Sequence, residues 1–243
     1  MKATYTVIGG GCFGSFYTRQ LPRFADRAGG PIERVVVVDR DPGCRVAREV
    51  SDPRVTVIVA DWADHLAAIL PAAVERAAAG AAIPDRLVPS PLASHILLEA
   101  MRRAAAPGAY PAGADEAQDL FGAIATPFVR GLESGNYALS FATWVCPVNC
   151  IEPPTCPALR QPLDWDMATA VADYLLGRRG QVRSFHILKC QHEAFGVGTI
   201  PMQHVARETL KLKRAAERGG APYAVIATVS TCHGLAGALR LAD

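Results

Sequence analysis

Apolar positions along the chain gather into short runs, and these alternate with stretches of helical period, separated by glycine, proline and charge. Thr4–Ile8 is rich in β-formers and runs into Gly9-Gly10-Gly11-Cys12-Phe13-Gly14. The pattern predicts a helix from Phe13 to about Leu21, then a continuous apolar strand, Arg34–Val38, closed by Asp39. Val55–Val59 reads as a third strand ahead of Asp61, followed by an alanine-rich helix over Trp62–Ala79. Arg86–Val88 is a short fourth strand stopped by Pro89-Ser90-Pro91, and Leu92–Ala105 has an amphipathic helical pattern.

A segment rich in proline, glycine and alanine, APGAYPAGADEA, then reads as a loop or linker. Beyond it the alternation resumes. Tyr137–Val145, Val182–Lys189 and Tyr223–Val229 read as strands. Asp164–Leu176, with Asp164 as its N-cap, and Met202–Glu217 read as helices, the second with Lys and Arg in its last turns as the helix dipole favours. Strand–helix–strand order implies parallel strands with right-handed crossovers. The expectation is an α/β chain with a doubly wound, mainly parallel sheet and helices on both faces. Residues 1–105 form a nucleotide-binding half, 106–120 a linker, and 121–243 a βαβαβ half that continues the same sheet.

The first turn carries the clearest chemistry. Strand, glycine turn, helix, strand, acid is the order of a dinucleotide site. Gly9 suits the tight turn, Gly11 lets the backbone approach a pyrophosphate, and Gly14 lets helix and strand pack closely. The phosphates would sit over Cys12 and Phe13 at the helix N-terminus, where free N–H groups and the dipole favour anions. Asp39 would accept from the adenosine ribose and favours NAD over NADP, whereas Arg40 beside it leaves NADP open, and FAD is a further alternative. Asp61 can reach the adenine side or cap the helix that follows it, the cap being the simpler role.

With VIGGGCFG, VVVVD and VTVIVAD in place, residues 1 to about 105 resemble the NAD(P)-binding Rossmann domains of the superfamily that includes the TrkA-N type regulatory domains. The resemblance implies a Rossmann-like fold and a bound nucleotide for less than half of the chain. It implies no reaction.

Composition adds one unusual number. The 243 residues contain seven cysteines, and five of them lie after residue 145. Cys12 and Cys44 read as small packed hydrophobes. Cys146, Cys150 and Cys156 follow the strand ending at Val145, Cys190 follows the next strand, and Cys232 the last. The carboxyl ends of parallel strands share one edge, which is where open α/β sheets bind ligands. Three distant segments therefore deliver soft donors to one rim, with spacing C-x3-C-x5-C in the densest piece, CPVNCIEPPTCP, whose prolines stiffen the loop. CIEPPTCP looks ferredoxin-like, but the spacing is neither that of ferredoxins nor the paired C-x2-C of zinc ribbons. Four thiolates suit a [4Fe–4S] cluster or, alternatively, zinc. Reduced redox thiols are a third reading.

The neighbouring His192, His233, Lys189 and Glu193 are candidate acid/base or tuning groups; Glu152 is a further flanking charge. His95, His186 and His204 read as ordinary packing or surface residues. Phe195–Pro201 is a glycine loop before a helix, able to receive a phosphate or serve only as a turn. Arg207, Lys211, Lys213, Arg214 and Arg218 read as a solvated helix face.

Charge narrows the partners. Lys and Arg total 25 against 23 Asp and Glu, a formal +2, which argues against a nucleic-acid binder. No apolar run is long enough to span a membrane, and no signal-peptide pattern opens the chain, which points to the cytoplasm. GxSxG, P-loop and HExxH patterns are absent from the sequence. The expectation is an NAD(P)-linked oxidoreductase or electron-transfer protein with a cysteine-ligated metal centre. A redox partner protein and a second copy of the chain are compatible partners. The alternatives are an NAD(H)-, redox- or metal-sensing module without turnover, and a dehydrogenase with structural zinc.

Overall fold

The computed structural model describes residues 1–89, 93–147 and 150–242. In chain order the first elements are β1 (Ala3–Ile8), α1 (Cys12–Ala28), β2 (Ile32–Asp39), α2 (Arg45–Glu49), β3 (Val55–Val59), α3 (Trp62–Ala78), β4 (Arg86–Val88) and α4 (Ser94–Ala105). Next come β5 (Tyr110–Pro111), α5 (Ala114–Phe121), β6 (Phe128–Gly131), β7 (Tyr137–Ser140), β8 (Thr155–Cys156), β9 (Gln161–Pro162) and α6 (Met167–Leu176). The chain ends with β10 (Val182–Lys189), β11 (Gln191–Ala194), β12 (Val197–Pro201), α7 (Met202–Ala216), β13 (Tyr223–Val229) and β14 (His233–Arg240). The fold is mixed α/β, with parallel and antiparallel pairing and, among the described residues, seven helices.

The chain divides into two compact units, Met1–Pro91 with Gln191–Arg207, and Leu92–Cys190 with Glu208–Asp243. Each has its own sheet, ordered β11-β12-β4-β1-β2-β3 in the first and β10-β13-β14-β7-β6 in the second. This corrects the single continuous sheet and the division at residues 105 and 121. The reason is local: β12 pairs antiparallel with β4 through Ile200↔Leu87 and Pro201↔Arg86. That occupies the edge of β4 on which a second half would have had to build.

In the first unit β3, β2, β1 and β4 are parallel neighbours. Alternation along the strands splits their side chains between two faces. Tyr5, Val7, Val35 and Val37 pack in one cluster with Leu21 of α1. Thr4, Thr6, Val36 and Ile58 line a cavity with His65, Ile69 and Ala72 of α3. The Phe195–Pro201 glycine loop is in fact a hairpin turn followed by β12. Phe195 and Gly196 have φ of 46° and 84°, the positive pair that a two-residue hairpin requires.

In the second unit β13 pairs parallel with β10 and antiparallel with β14, and β14 pairs antiparallel with β7. The C-terminal half is therefore not the all-parallel βαβαβ arrangement. The expected linker holds α5, whose Ala117, Leu120 and Phe121 are core residues. The N-cap of α6 is Asp166, which accepts from Thr169 N at 3.0 Å, and not Asp164. The strand expected over Tyr137–Val145 ends at Ser140.

His186 on β10 is fully enclosed and meets Glu208 on α7 with Nδ1 3.0 Å from Oε2. Burial pushes the Glu208 carboxyl up, but hydrogen bonds from His186 and Lys211 outweigh it and hold it at about 2. A carboxyl depressed on folding contributes stability that is complete above its ordinary value of 4.5 and is lost as pH falls toward 2. Glu208→Gln should therefore lower stability at neutral pH by about 1.5–3 kcal/mol. It should also flatten the acid limb below 4.5 in urea titrations at stepped pH. An unchanged acid limb would refute the assignment.

Candidate functional site

The cysteine region is built on one edge of the second sheet. Because β7, β10 and β13 point the same way, their carboxyl ends meet at that edge. Cys146 lies beyond β7, Cys190 directly after β10 and Cys232 after β13. An antiparallel strand, β14, lies between β13 and β7, and Cys156 sits apart from that sheet on β8, which pairs with β9.

The turn Ser230-Thr231-Cys232 is the fixed point of the region. Its carbonyls accept from Met167 N (3.0 Å, Thr231) and Phe141 N (2.9 Å, Cys232), and Ser230 N bonds His233 O at 2.8 Å. The Thr231 and Cys232 N–H groups donate to Glu152, at 2.7 Å to Oε2 and 3.1 Å to Oε1. Glu152 thus ties the cysteine loop to the turn. Its backbone has φ 50°, a left-handed conformation that a residue with a side chain adopts at a cost. Its own N–H points at Cys150 Sγ, 3.4 Å away. Burial pushes the Glu152 carboxyl up, and hydrogen bonds from Ser230 and the two turn amides more than compensate, leaving it lowered.

The charge of this carboxylate reaches Cys146, Cys190 and Cys232. Cys146 is raised by burial first, then by the charges of Cys150, Cys156 and Glu152. Cys232 is pushed up to about 11 by burial, with Glu152, Cys146 and Cys150 adding to the rise and the Trp165 hydrogen bond opposing it. Cys190 is pushed up to about 12 by burial and then by Glu152. Such thiols are protonated near neutrality, so they do not act as free nucleophiles. Cys146 is therefore an electrostatic neighbour of Cys150, Cys156 and Cys232, and Cys190 feels the Glu152 charge as Cys146 and Cys232 do. Among the described residues, however, no three His, Cys, Asp or Glu side chains stand close enough together to hold a metal ion. Val148 and Asn149 of the loop lie outside the described residues.

Aromatic side chains wall the rim. Trp165 stands 6.0 Å from Phe141 and 6.1 Å from Trp144, ring to ring. Trp165 Nε1 donates to Cys232 Sγ at 3.3 Å. Trp144 Nε1 is buried beside Cys146 without an acceptor in bonding geometry. These tryptophans and the role of Glu152 were missed from sequence, where only their proximity to the cysteines in the chain could have signalled them.

The other candidates separate. His233 bonds Ser140 Oγ through Nδ1 at 3.0 Å and is lowered by burial, with Glu152 opposing. Lys189 pairs with Asp166. His192 and Glu193 lie on β11 in the first unit, where Glu193 pairs with Arg86 at 2.9 Å. They are not in the same unit as the cysteines.

At the glycine turn, Gly9 has φ 89°. A Cβ at Gly14 would lie 1.7 Å from the Gly9 carbonyl oxygen, whereas one at Gly11 would meet nothing within 4 Å. Gly14 is thus fixed by packing, and the Gly11 backbone faces open space. No side chain caps α1 at Gly11, and its first turn holds no acid. Asp39 accepts from Gly10 N at 2.6 Å and Asp41 N at 2.9 Å, so it braces the turn itself. Arg40 pairs with Asp61, which caps α3 by accepting from Asp64 N at 3.0 Å. Cys12, expected to be packed, is exposed at the start of α1 with Arg45 Nη1 3.7 Å from its sulfur, and Phe13 is also exposed. Cys44 is buried against Gly10.

A family model described as "Uncharacterized protein, C-terminal domain", AF_1314_C, matches residues 102–242. The chain belongs to the AF_1314_C family. The matched span holds all five rim cysteines, Glu152 and both rim tryptophans. It also corrects the resemblance drawn from the N-terminal motifs: the family found is AF_1314_C, and no Rossmann or TrkA-N family is detected. No curated protein and no solved structure matches the chain. Among the described residues, no helix is long and apolar enough to cross a membrane.

Two substitutions test this geometry. Gln at position 152 has a single acceptor oxygen, so Glu152→Gln leaves one turn amide without its partner, at about 1–3 kcal/mol. Amide hydrogen exchange should show lost protection at Thr231 or Cys232; unchanged protection would refute the tie. Gly14→Ala should destabilise the first unit by about 3 kcal/mol or more through overpacking, whereas Gly11→Ala should leave its melting temperature nearly unchanged. Equal effects of the two would contradict the packing assignment.

Proposed function

We propose that this AF_1314_C protein is a nicotinamide-nucleotide-linked redox or electron-transfer protein whose second unit holds a cysteine-ligated metal centre, an iron–sulfur cluster. One observation carries the reading: Cys146 lies within electrostatic reach of Cys150, Cys156 and, from a separate segment, Cys232, beside the half-buried, backbone-anchored Glu152. Packing alone does not call for several thiols near one another beside a carboxylate. A bound cation would favour their deprotonated form, and the donor set is soft enough for iron or zinc. Cys190 is the alternative fourth ligand. The orphaned Trp144 N–H and the Trp165 N–H lie next to cysteine sulfurs, and hydrogen bonds to ligand sulfur tune such centres. The described side chains do not stand close enough together to hold a metal, so binding one would require them to move together.

The first unit is read as a doubly wound dinucleotide site. Support comes from the parallel order β3-β2-β1-β4, the open Gly11 backbone and the uncapped α1 N-terminus. Gly11, Cys12 and Phe13 N–H groups would hold the pyrophosphate, with Gly9 and Gly14 shaping the turn. Asp39 would offer its remaining lone pairs to the ribose of NAD. Arg40 and Asp61, paired with each other, would border the adenine side. Nicotinamide supplies a hydride and a cluster accepts single electrons, so a two-electron carrier such as a flavin, or a redox partner protein, is required as well. His233, bonded to Ser140 just after the turn that carries Cys232, would be the group beside the cysteines able to hold or move a proton.

The test is anaerobic purification with iron, sulfide and zinc assays, alongside NADH titration. Iron with sulfide in a coloured protein is expected. Cys146→Ser, Cys150→Ser and Cys156→Ser should each remove the metal and spare nucleotide binding, and Gly11→Trp should do the reverse. Zinc without sulfide would replace the cluster with a structural zinc. Metal-free wild-type protein, or full metal in all three serine variants, would overturn the site.

A further inference from the structure

The outer strand of the second sheet carries an arrangement that the redox reading does not use. Ser184 and His186 are two apart on β10 and so share a face. Nδ1 of His186 lies 3.0 Å from Glu208 Oε2, and Nε2 lies 3.1 Å from Ser184 Oγ. An ionised Glu208 only accepts, so Nδ1 carries the ring proton. In the neutral ring Nε2 is then an acceptor, and the Ser184 hydroxyl donates to it. Hydroxyl, imidazole and carboxylate are thus bonded in the order nucleophile, base, orienter.

The surroundings distinguish this from a merely satisfied buried histidine. The β10–β13 register slips between Val182 and Ser184, a bulge of the kind that re-aims side chains. Ser184 and His186 line a cavity of 550 Å³. Arg179, Arg183, Lys211 and Arg218 also line it, and no carboxylate is among its lining side chains in the described residues. Three stretches of chain, α6–β10, α7 and the segment after α7, supply those cations. Arg183 is held in place by the carbonyls of Ala221 and Gly220, at 2.7 and 3.0 Å. Leu175 and Phe185 give the cavity an apolar wall.

We propose that Ser184, His186 and Glu208 form a nucleophilic relay that takes an acyl group from a negatively charged carboxylic ester. Ser184 Oγ attacks the carbonyl carbon as its proton passes to His186 Nε2. The bond from that carbon to the leaving oxygen breaks, and the departing alcohol takes the proton from Nε2. Water repeats the sequence on the serine ester, releasing the acid and restoring the hydroxyl; no oxidant or reductant takes part. Glu208 is a positioning residue that holds the ring in the tautomer required. The cations select an anionic substrate and stabilise the developing oxyanion.

The probe is the mono-4-nitrophenyl ester of succinic acid, given to the full chain and followed by nitrophenol release and peptide mass mapping. A succinyl adduct on Ser184 is expected, and the neutral 4-nitrophenyl acetate should react more slowly. Ser184→Ala should abolish the adduct. Glu208→Gln should lower kcat by about 10²-fold or more with little change in KM. The map on wild-type protein stands even if a variant fails to fold. No adduct, an adduct only at other residues, or equal release by folded Ser184→Ala would overturn the relay.

Discussion

The second unit depends on a single carboxylate seated on two backbone amides. Glu152 reaches from the cysteine loop to Thr231 and Cys232 N–H, at the turn where β13 becomes β14. That turn is fixed on its other side by Met167 and Phe141 amides. The loop is thereby registered against β7, α6 and β13 at once. Hydrogen bonds to a charged acceptor are worth about 1.5–3 kcal/mol each, enough to offset both burial of the carboxylate and the left-handed backbone that places it.

Each unit obeys a different packing constraint. In the first, Gly14 allows α1 to lie against the carbonyl of Gly9, and β12 takes the free edge of β4. In the second, β14 runs through the centre of the sheet with glycines at 234 and 237. A Cβ at Gly237 would fall 2.3 Å from Asn136 Oδ1 and 2.7 Å from Leu98 Cδ1, and one at Gly234 would press on Met167. These glycines exist because helices α4 and α6 come close to the strand, not because the chain turns there.

That distinction explains what the sequence could and could not reveal. The parallel strands β1, β2 and β13 are largely buried apolar runs and β3 a half-buried one, which is the strongest local signal there is, and they stand where the pattern places them. β14 was lost because HGLAGALR lacks the β-branched residues that mark strands, its glycines answering instead to distant side chains. The separation into two sheets depends on β12 pairing with β4, a contact between residues 87 and 200 that no local pattern encodes. At the rim, the cysteines were legible because their residue type is itself chemical. Glu152 and Trp165 were not, since their roles arise from hydrogen bonds across tens of residues. His186 is the packed histidine that the sequence suggested, and its two partners, Glu208 and Ser184, are contacts that no local pattern encodes.

The five cysteines after residue 145 and Glu152 lie wholly inside the AF_1314_C span, so the proposed sulfur site would belong to the part of the chain that the family model covers. Sulfur X-ray absorption does not separate ligand from free thiol cleanly, but absorption at the metal edge does. Spectra of the oxygen-protected protein should show a first shell of sulfur at about 2.3 Å that disappears in Cys150→Ser. A shell of light atoms alone, or one indifferent to that substitution, would contradict a thiolate centre at this edge.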